Sequence, residues 1–302
     1  MTMRTQTPVR RPEPALDYDA ALAQLATLQT LDGPDVNPLC HTQALTHGRV
    51  TDRVIVLIHG MTNCPCQYQR LAPLFFARGY NVLTPRMPRN GLNDRDTKAL
   101  ASLTIAELQE YGHQIVDIAR GLGERVTVTG ISAGGTIAAW LAQARSDVDV
   151  AAPIAPLLGI LPDLPVLNDG ANLAVMHALA SAPNLMTQRL APFRAGPPQC
   201  YRGFATHGLA RVMELGRQVM RAAATESPAA RAILMMLNPK DPAVNGALSH
   251  ELLRRWRARN ADASLYTFAP ERQLIHDIID PQQLAQQCDY VYPILLEQIS
   301  SL

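Results

Sequence analysis

The sequence predicts an α/β fold, a doubly wound and mostly parallel sheet with an inserted helical cap, on three observations. Arg53-Val-Ile-Val-Leu-Ile58 is a continuous, β-branched apolar run ending at His59-Gly60, the pattern of a strand buried on both faces. Strand-like and helix-like stretches alternate from there to about Ala155 and again from Ala232 onward, the grammar of a parallel sheet flanked by helices. Between Leu157 and about Ala230 the alternation stops, and helical pieces are separated by Pro162, Pro165, Pro183, Pro192, Pro197-Pro198 and Pro228. That stretch, about residues 157–230, is the predicted cap within a domain of residues 49–302, preceded by an arm and short helix over residues 1–48.

The elements follow in order. Asp17 to Gln29 spaces Leu22, Leu25 and Leu28 three apart among alanines, which predicts a short amphipathic helix packed on the main body. After the first strand, Tyr68 to Arg78 reads as a helix stopped by Gly79, and Tyr80 to Thr84 as the next strand before Pro85. A long helix is predicted from Thr104 to Arg120, with Ile105, Leu108, Ile115 and Ile118 on one side and Gly121 ending it. Strands are expected at Arg125–Thr129, Asp149–Ala155, Ala232–Leu237 and Ser264–Phe268, and helices at Ile131–Ala144, Asn245–Arg259 and Gln282–Ser300.

Composition removes several functional classes. Of the 302 residues 47% are apolar, enough for a substantial core, so disorder is expected only at the ends. Lys+Arg 27 against Asp+Glu 26 leaves a net charge of +1 and no broad basic face, which argues against nucleic-acid binding. The most apolar stretch, Ala151 to Leu167, is broken by Pro153, Pro156, Pro162, Asp163 and Pro165, so no membrane insertion is expected. Met1 to Pro14 has arginines and prolines but no apolar signal region, and the expected location is cytoplasmic. The five cysteines, Cys40, Cys64, Cys66, Cys200 and Cys288, are odd in number and scattered, so no disulfide framework is expected. Cys64-Pro-Cys66 has no second Cys/His pair at ligand spacing, and neither a metal nor another cofactor is implied.

The chemistry is carried by Gly130-Ile131-Ser132-Ala133-Gly134, which directly follows a predicted strand and opens a predicted helix. A sharp strand-to-helix turn leaves no room for flanking side chains, hence the glycines, and exposes the serine at a helix N-terminus. There the free N–H of Ala133 is aimed to stabilise an oxyanion beside Ser132. A serine that merely caps the helix is the alternative.

Together with Ile58-His59-Gly60-Met61-Thr62 and a late His-Asp pair, this motif resembles the α/β-hydrolase superfamily from about Val50 to the C-terminus. Gly79-Tyr-Asn-Val82 adds a likeness to bacterial carboxylesterases and monoacylglycerol-lipase-like enzymes. The resemblance implies a second oxyanion donor at the Met61 amide and a structural role for His59. It also implies a base late in the chain, best matched by His276 just beyond the last strand, and an acid after the preceding strand, best matched by Asp241. Asp277 and Asp280 are the other candidates for the acid. Where many relatives carry Gly-His-Gly after the second strand, this chain has Pro88-Arg89-Asn90-Gly91.

The implied function is hydrolysis of short- to medium-chain carboxylic esters, with a small apolar ester as partner and an acyl-enzyme on Ser132. Thioester hydrolysis, C–C bond hydrolysis on the same three residues and non-catalytic ligand binding remain alternatives, whereas an aspartate nucleophile is excluded by Ser132. Met176, Met186, Met213 and Met220 in the cap stretch either roof an acyl pocket or form ordinary core, and Arg202, His207 and Arg211 are expected to face solvent.

Overall fold

A computed structural model describes residues 11–160, 174–179 and 196–302. Seven strands form one sheet: β1 (Gln43–Leu45), β2 (Thr51–Ile58), β3 (Asn81–Thr84), β4 (Gly123–Ile131), β5 (Val150–Ile154), β6 (Ala232–Leu237) and β7 (Ala263–Thr267). Their spatial order is β1-β3-β2-β4-β5-β6-β7. Every pairing is parallel except that of the edge strand β1 with β3. The order reverses beside β2, so the chain winds first to one side of the sheet and then to the other.

The helices are α1 (Tyr18–Gln29), α2 (Ala72–Phe76), α3 (Ile105–Leu122), α4 (Ala133–Ala144), α5 (174–179), α6 (Thr206–Thr225), α7 (Gly246–Ala258) and α8 (Cys288–Ser300). Because successive strand residues point to opposite faces, β2 divides its side chains between two cores. Val54, Val56 and Ile58 pack with residues of α3, α4 and α6, while Ile55 and Leu57 pack with Phe75 of α2 and Val291 and Leu295 of α8. Burial on both faces explains the unbroken apolar run in the sequence.

Helix ends follow local chemistry. The Thr104 hydroxyl accepts the Glu107 N–H, and the Glu107 carboxylate accepts the Thr104 N–H, starting α3. Asn245 accepts the Leu248 N–H to start α7.

Several expectations need correction. Gly121 does not stop α3, which runs to Leu122; a Cβ there would lie 2.8 Å from the Ala15 and Ala21 side chains, so this glycine admits the N-terminal segment and α1. The Tyr68–Arg78 helix is reduced to a 3-10 turn at Pro65–Tyr68 and the short α2, and the last helix begins at Cys288 rather than Gln282. Strand β1 was not expected; at three residues, one exposed and two half-buried, it carries no readable pattern. In α1, Leu25 and Leu28 are buried as expected, whereas Leu22 stands at the surface.

The apolar side of α6 is a core face: Leu209, Val212, Met213, Val219 and Met220 are buried and join the cluster that includes α4, settling those methionines as core. Met176 is buried in the same cluster, and Met186 lies outside the described residues. Arg202 pairs with Asp96 and Arg211 with Glu214, both at the surface.

The expectation for the cysteines also fails: Cys40 and Cys64 form a disulfide. The fold brings the turn at Pro38–Cys40 against the loop after β2, where Val36, Cys40, Cys64 and Cys66 make a small apolar cluster; a separation of 24 residues gives no local signal for this. Cys66, Cys200 and Cys288 are free and buried. Among the described residues no helix is long and apolar enough to cross a membrane.

Candidate active site

The residues singled out from sequence occupy loops at one edge of the sheet, the C-terminal ends of parallel strands, where α/β proteins gather their chemistry. Ser132 follows β4, Asp241 follows β6, His276 follows β7, and Met61 follows β2.

Ser132 has φ 59° and ψ −116°, a strained backbone for a residue with a side chain. The turn is over-determined. The Ser132 N–H donates to Ile154 O at 3.0 Å, and its carbonyl accepts the N–H groups of Thr136 at 2.9 Å and Leu157 at 3.1 Å. The glycines are required by contact: a Cβ on Gly130 would lie 2.7 Å from Ile58 O, and one on Gly134 would lie 2.7 Å from His59 O and collide with Ile58 O. The elbow is thus pressed against the end of β2, and only glycine admits that approach.

Ala133 opens α4, so its N–H has no intrahelical partner. The other expected donor, the Met61 N–H, has no protein acceptor among the described residues. Its peptide is fixed at the opposite end, where Gly60 O accepts His59 Nδ1–H at 2.8 Å and the Asn63 N–H at 3.1 Å. His59 is fully buried, and its Nε2 accepts the Met87 N–H at 3.0 Å. Burial lowers its pKa to about 4, against the opposing pull of the Gly60 carbonyl, so it is a neutral structural imidazole.

Asp241 and His276 come together: His276 Nδ1 lies 2.7 Å from Asp241 Oδ2. The other carboxylate oxygen accepts the Ala243 N–H at 2.8 Å and the Val244 N–H at 3.3 Å, holding the Asp-Pro turn in shape. Asn238 Nδ2 donates to Leu274 O at 2.8 Å and joins the two loops. Burial disfavours the imidazolium, but the Asp241 hydrogen bond and the charges of Asp241 and Asp277 outweigh it, and the His276 pKa is raised.

The other candidate acids have different partners. Asp277 Oδ1 accepts Gln67 Nε2 at 2.8 Å, and Asp280 Oδ2 accepts Asn63 Nδ2 at 2.8 Å. Sequence reasoning missed Asn63, Gln67 and Asn90, all buried polar side chains around the Met61 loop. In the Pro88–Gly91 turn, which stands where relatives of the resemblance carry Gly-His-Gly, Asn90 Nδ2 donates to Met61 O and Asn63 O. Its adjacency to Gly91 marks a turn but says nothing of this contact. Among the described residues no group of three or more His, Cys, Asp or Glu is arranged to hold a metal ion.

Comparison with known proteins agrees with this architecture. Residues 55–286 match the model of the alpha/beta hydrolase family. A pyrethroid hydrolase of Sphingobium wenxiniae is 33% identical over 135 residues, covering 43% of this chain and 45% of that protein. A thermostable monoacylglycerol lipase of Bacillus sp. (strain H-257) is 27% identical over 106 residues, covering 33% and 39%. The matched stretches therefore span less than half the length of either relative.

Among solved structures, one of the metagenome-derived lipolytic enzymes LipS and LipT superposes with a TM-score of 0.64 at 17% identity, covering 88% of this chain and 100% of that one. A Paleococcus ferrophilus monoacylglycerol lipase gives 0.62 at 16% identity, covering 86% and 98%. At such identities the structural likeness speaks for the fold. With the family match running from Ile55, inside β2, to beyond His276, and the sheet order and serine turn described above, the chain belongs to the alpha/beta hydrolase family.

Proposed function

We propose that the protein is a serine hydrolase that cleaves carboxylic esters with short- to medium-chain acyl groups. The observation that carries this reading is the 2.7 Å contact between His276 and Asp241 at the strand edge that also presents Ser132 on its strained turn. Its similarity to a pyrethroid hydrolase and a monoacylglycerol lipase points to the same class.

In the proposed reaction His276 Nε2 takes the Ser132 proton as Oγ attacks the ester carbonyl, and Asp241 holds the ring and stabilises its charge. The Met61 and Ala133 amides receive the oxyanion; each such donor is worth a factor of about 100 to 1,000 in rate. His276 then protonates the leaving alcohol, and water attacks the acyl-enzyme by the reverse proton route. No cofactor enters this scheme. The cytoplasmic location expected from the sequence fits poorly with the Cys40–Cys64 disulfide, because disulfides persist mainly in oxidising compartments.

The test is hydrolysis of p-nitrophenyl acetate, butyrate, octanoate and palmitate by the wild type and Ser132→Ala. The expected result is fastest turnover on the shorter esters and a loss on the order of 1,000-fold or more in the variant. Turnover retained in Ser132→Ala would remove the serine from the mechanism.

A further inference from the structure

Two carboxylates beside the proposed base are not used by the proposed reaction, and their cost calls for a reason. Asp280 is fully buried, and burial together with the Asp277 charge raises its pKa to about 6 despite the Asn63 and Gln282 hydrogen bonds. Among the described residues neither acid forms a salt bridge with an arginine or lysine; their partners are neutral amides. A buried acid without a cation does not stabilise a fold.

Those amides lead to the oxyanion loop along two routes. Asp277 Oδ1 accepts Gln67 Nε2 at 2.8 Å, and Gln67 Oε1 accepts the Gly60 N–H at 2.9 Å. Asp280 Oδ2 accepts Asn63 Nδ2 at 2.8 Å, and the Asn63 N–H donates to Gly60 O at 3.1 Å. Gly60 O belongs to the same rigid peptide plane as the Met61 N–H, so fixing the carbonyl aims the amide. Both routes start from the loop carrying the base; the Asp277 route ends on the peptide before the oxyanion donor's and the Asp280 route on the donor's own peptide. Gln199, which lies between β5 and β6 a few residues before α6, also donates to Asp280 Oδ2, at 3.3 Å.

We infer that Asp277 and Asp280 are positioning residues that fix the oxyanion loop relative to His276, acting through Gln67 and Asn63. This role rests on the ester-hydrolase reading, in which the Met61 amide binds the oxyanion. The carboxylates serve because each accepts several amide donors at once, which a neutral side chain of the same size does not. A displacement of about 1 Å in such a donor costs on the order of 100-fold in rate, so the coupling acts on kcat.

The experiment compares wild type, Asp280→Asn, Asn63→Asp and the double exchange Asn63→Asp/Asp280→Asn. Steady-state kinetics on p-nitrophenyl butyrate are combined with amide hydrogen exchange over residues 59–64. Each single variant is expected to lose about 10- to 100-fold in kcat with KM within threefold, and to exchange faster over 59–64. The double exchange, which restores one donor facing one acceptor, is expected to recover at least tenfold in kcat and to slow the exchange. Single variants within twofold of wild-type kcat and with wild-type exchange would overturn the inference, as would losses the double exchange does not recover. A wild type that hydrolyses no ester would defeat the esterase reading instead. The exchange measurements still test the coupling in that case, since unchanged protection over 59–64 in the single variants contradicts it.

Discussion

The His276 imidazole is pulled in opposite directions, by burial toward neutrality and by Asp241 and Asp277 toward the charged form, and the carboxylates prevail. A general base must be neutral, so kcat/KM is expected to rise with pH through a midpoint above the ordinary 6.5 of histidine. Asp277→Asn removes one of the raising charges and is expected to move that midpoint to lower pH. A pH–rate series on both proteins checks this, and identical midpoints would show that Asp277 does not act on the ring. At the serine turn, Gly134→Ala drives a methyl group into Ile58 O and toward His59 O. The expected outcome is a loss of about 1–3 kcal/mol in stability, read by denaturant unfolding, together with loss of ester turnover.

At the scale of elements, the helices hold the sheet through packing and through a few buried polar ties. Arg145, just after α4, is buried and donates to Asp117 of α3 at 2.8 Å and to Asp147 at 2.7 Å. Asp117 also accepts the Glu13 N–H at 2.8 Å, and its backbone carbonyl accepts the Ala15 N–H at 2.9 Å, drawing the N-terminal segment onto α3. Asp117→Ala leaves the arginine without one of its two carboxylates and is expected to cost about 3–5 kcal/mol, measured by urea unfolding. A change below about 1 kcal/mol would mean that Asp147 alone suffices.

Legibility at this scale follows the range of the interaction. Strands β2, β4 and β6 are readable because burial on both faces writes itself into consecutive residues, and α3 because its capping box and apolar spacing are local. Strand β1 is too short to be seen, and Gly121 reads as a stop because nothing nearby reveals α1 pressed against it. The candidate serine, acid and base can be named because each follows a strand in a known order. Asn63 and Asp280 are 217 residues apart, and no local pattern announces their contact.

The whole molecule ties the turn at Pro38–Cys40 to the loop of the proposed oxyanion donor through Cys40–Cys64. Closing a loop between cysteines 24 residues apart stabilises the folded chain by about 3 kcal/mol through the unfolded state. Cys40→Ser is expected to lower the denaturant midpoint accordingly, and adding a reductant to the wild type is expected to match it; a midpoint insensitive to both would show that the bond adds nothing to stability. If the strained Ser132 is the nucleophile, a fluorophosphonate applied to the folded protein adds to its hydroxyl, and mass spectrometry locates the adduct. Labelling at Ser132, abolished in His276→Ala, is the result expected. A folded wild type that takes no label, or takes it at another residue, would contradict the account.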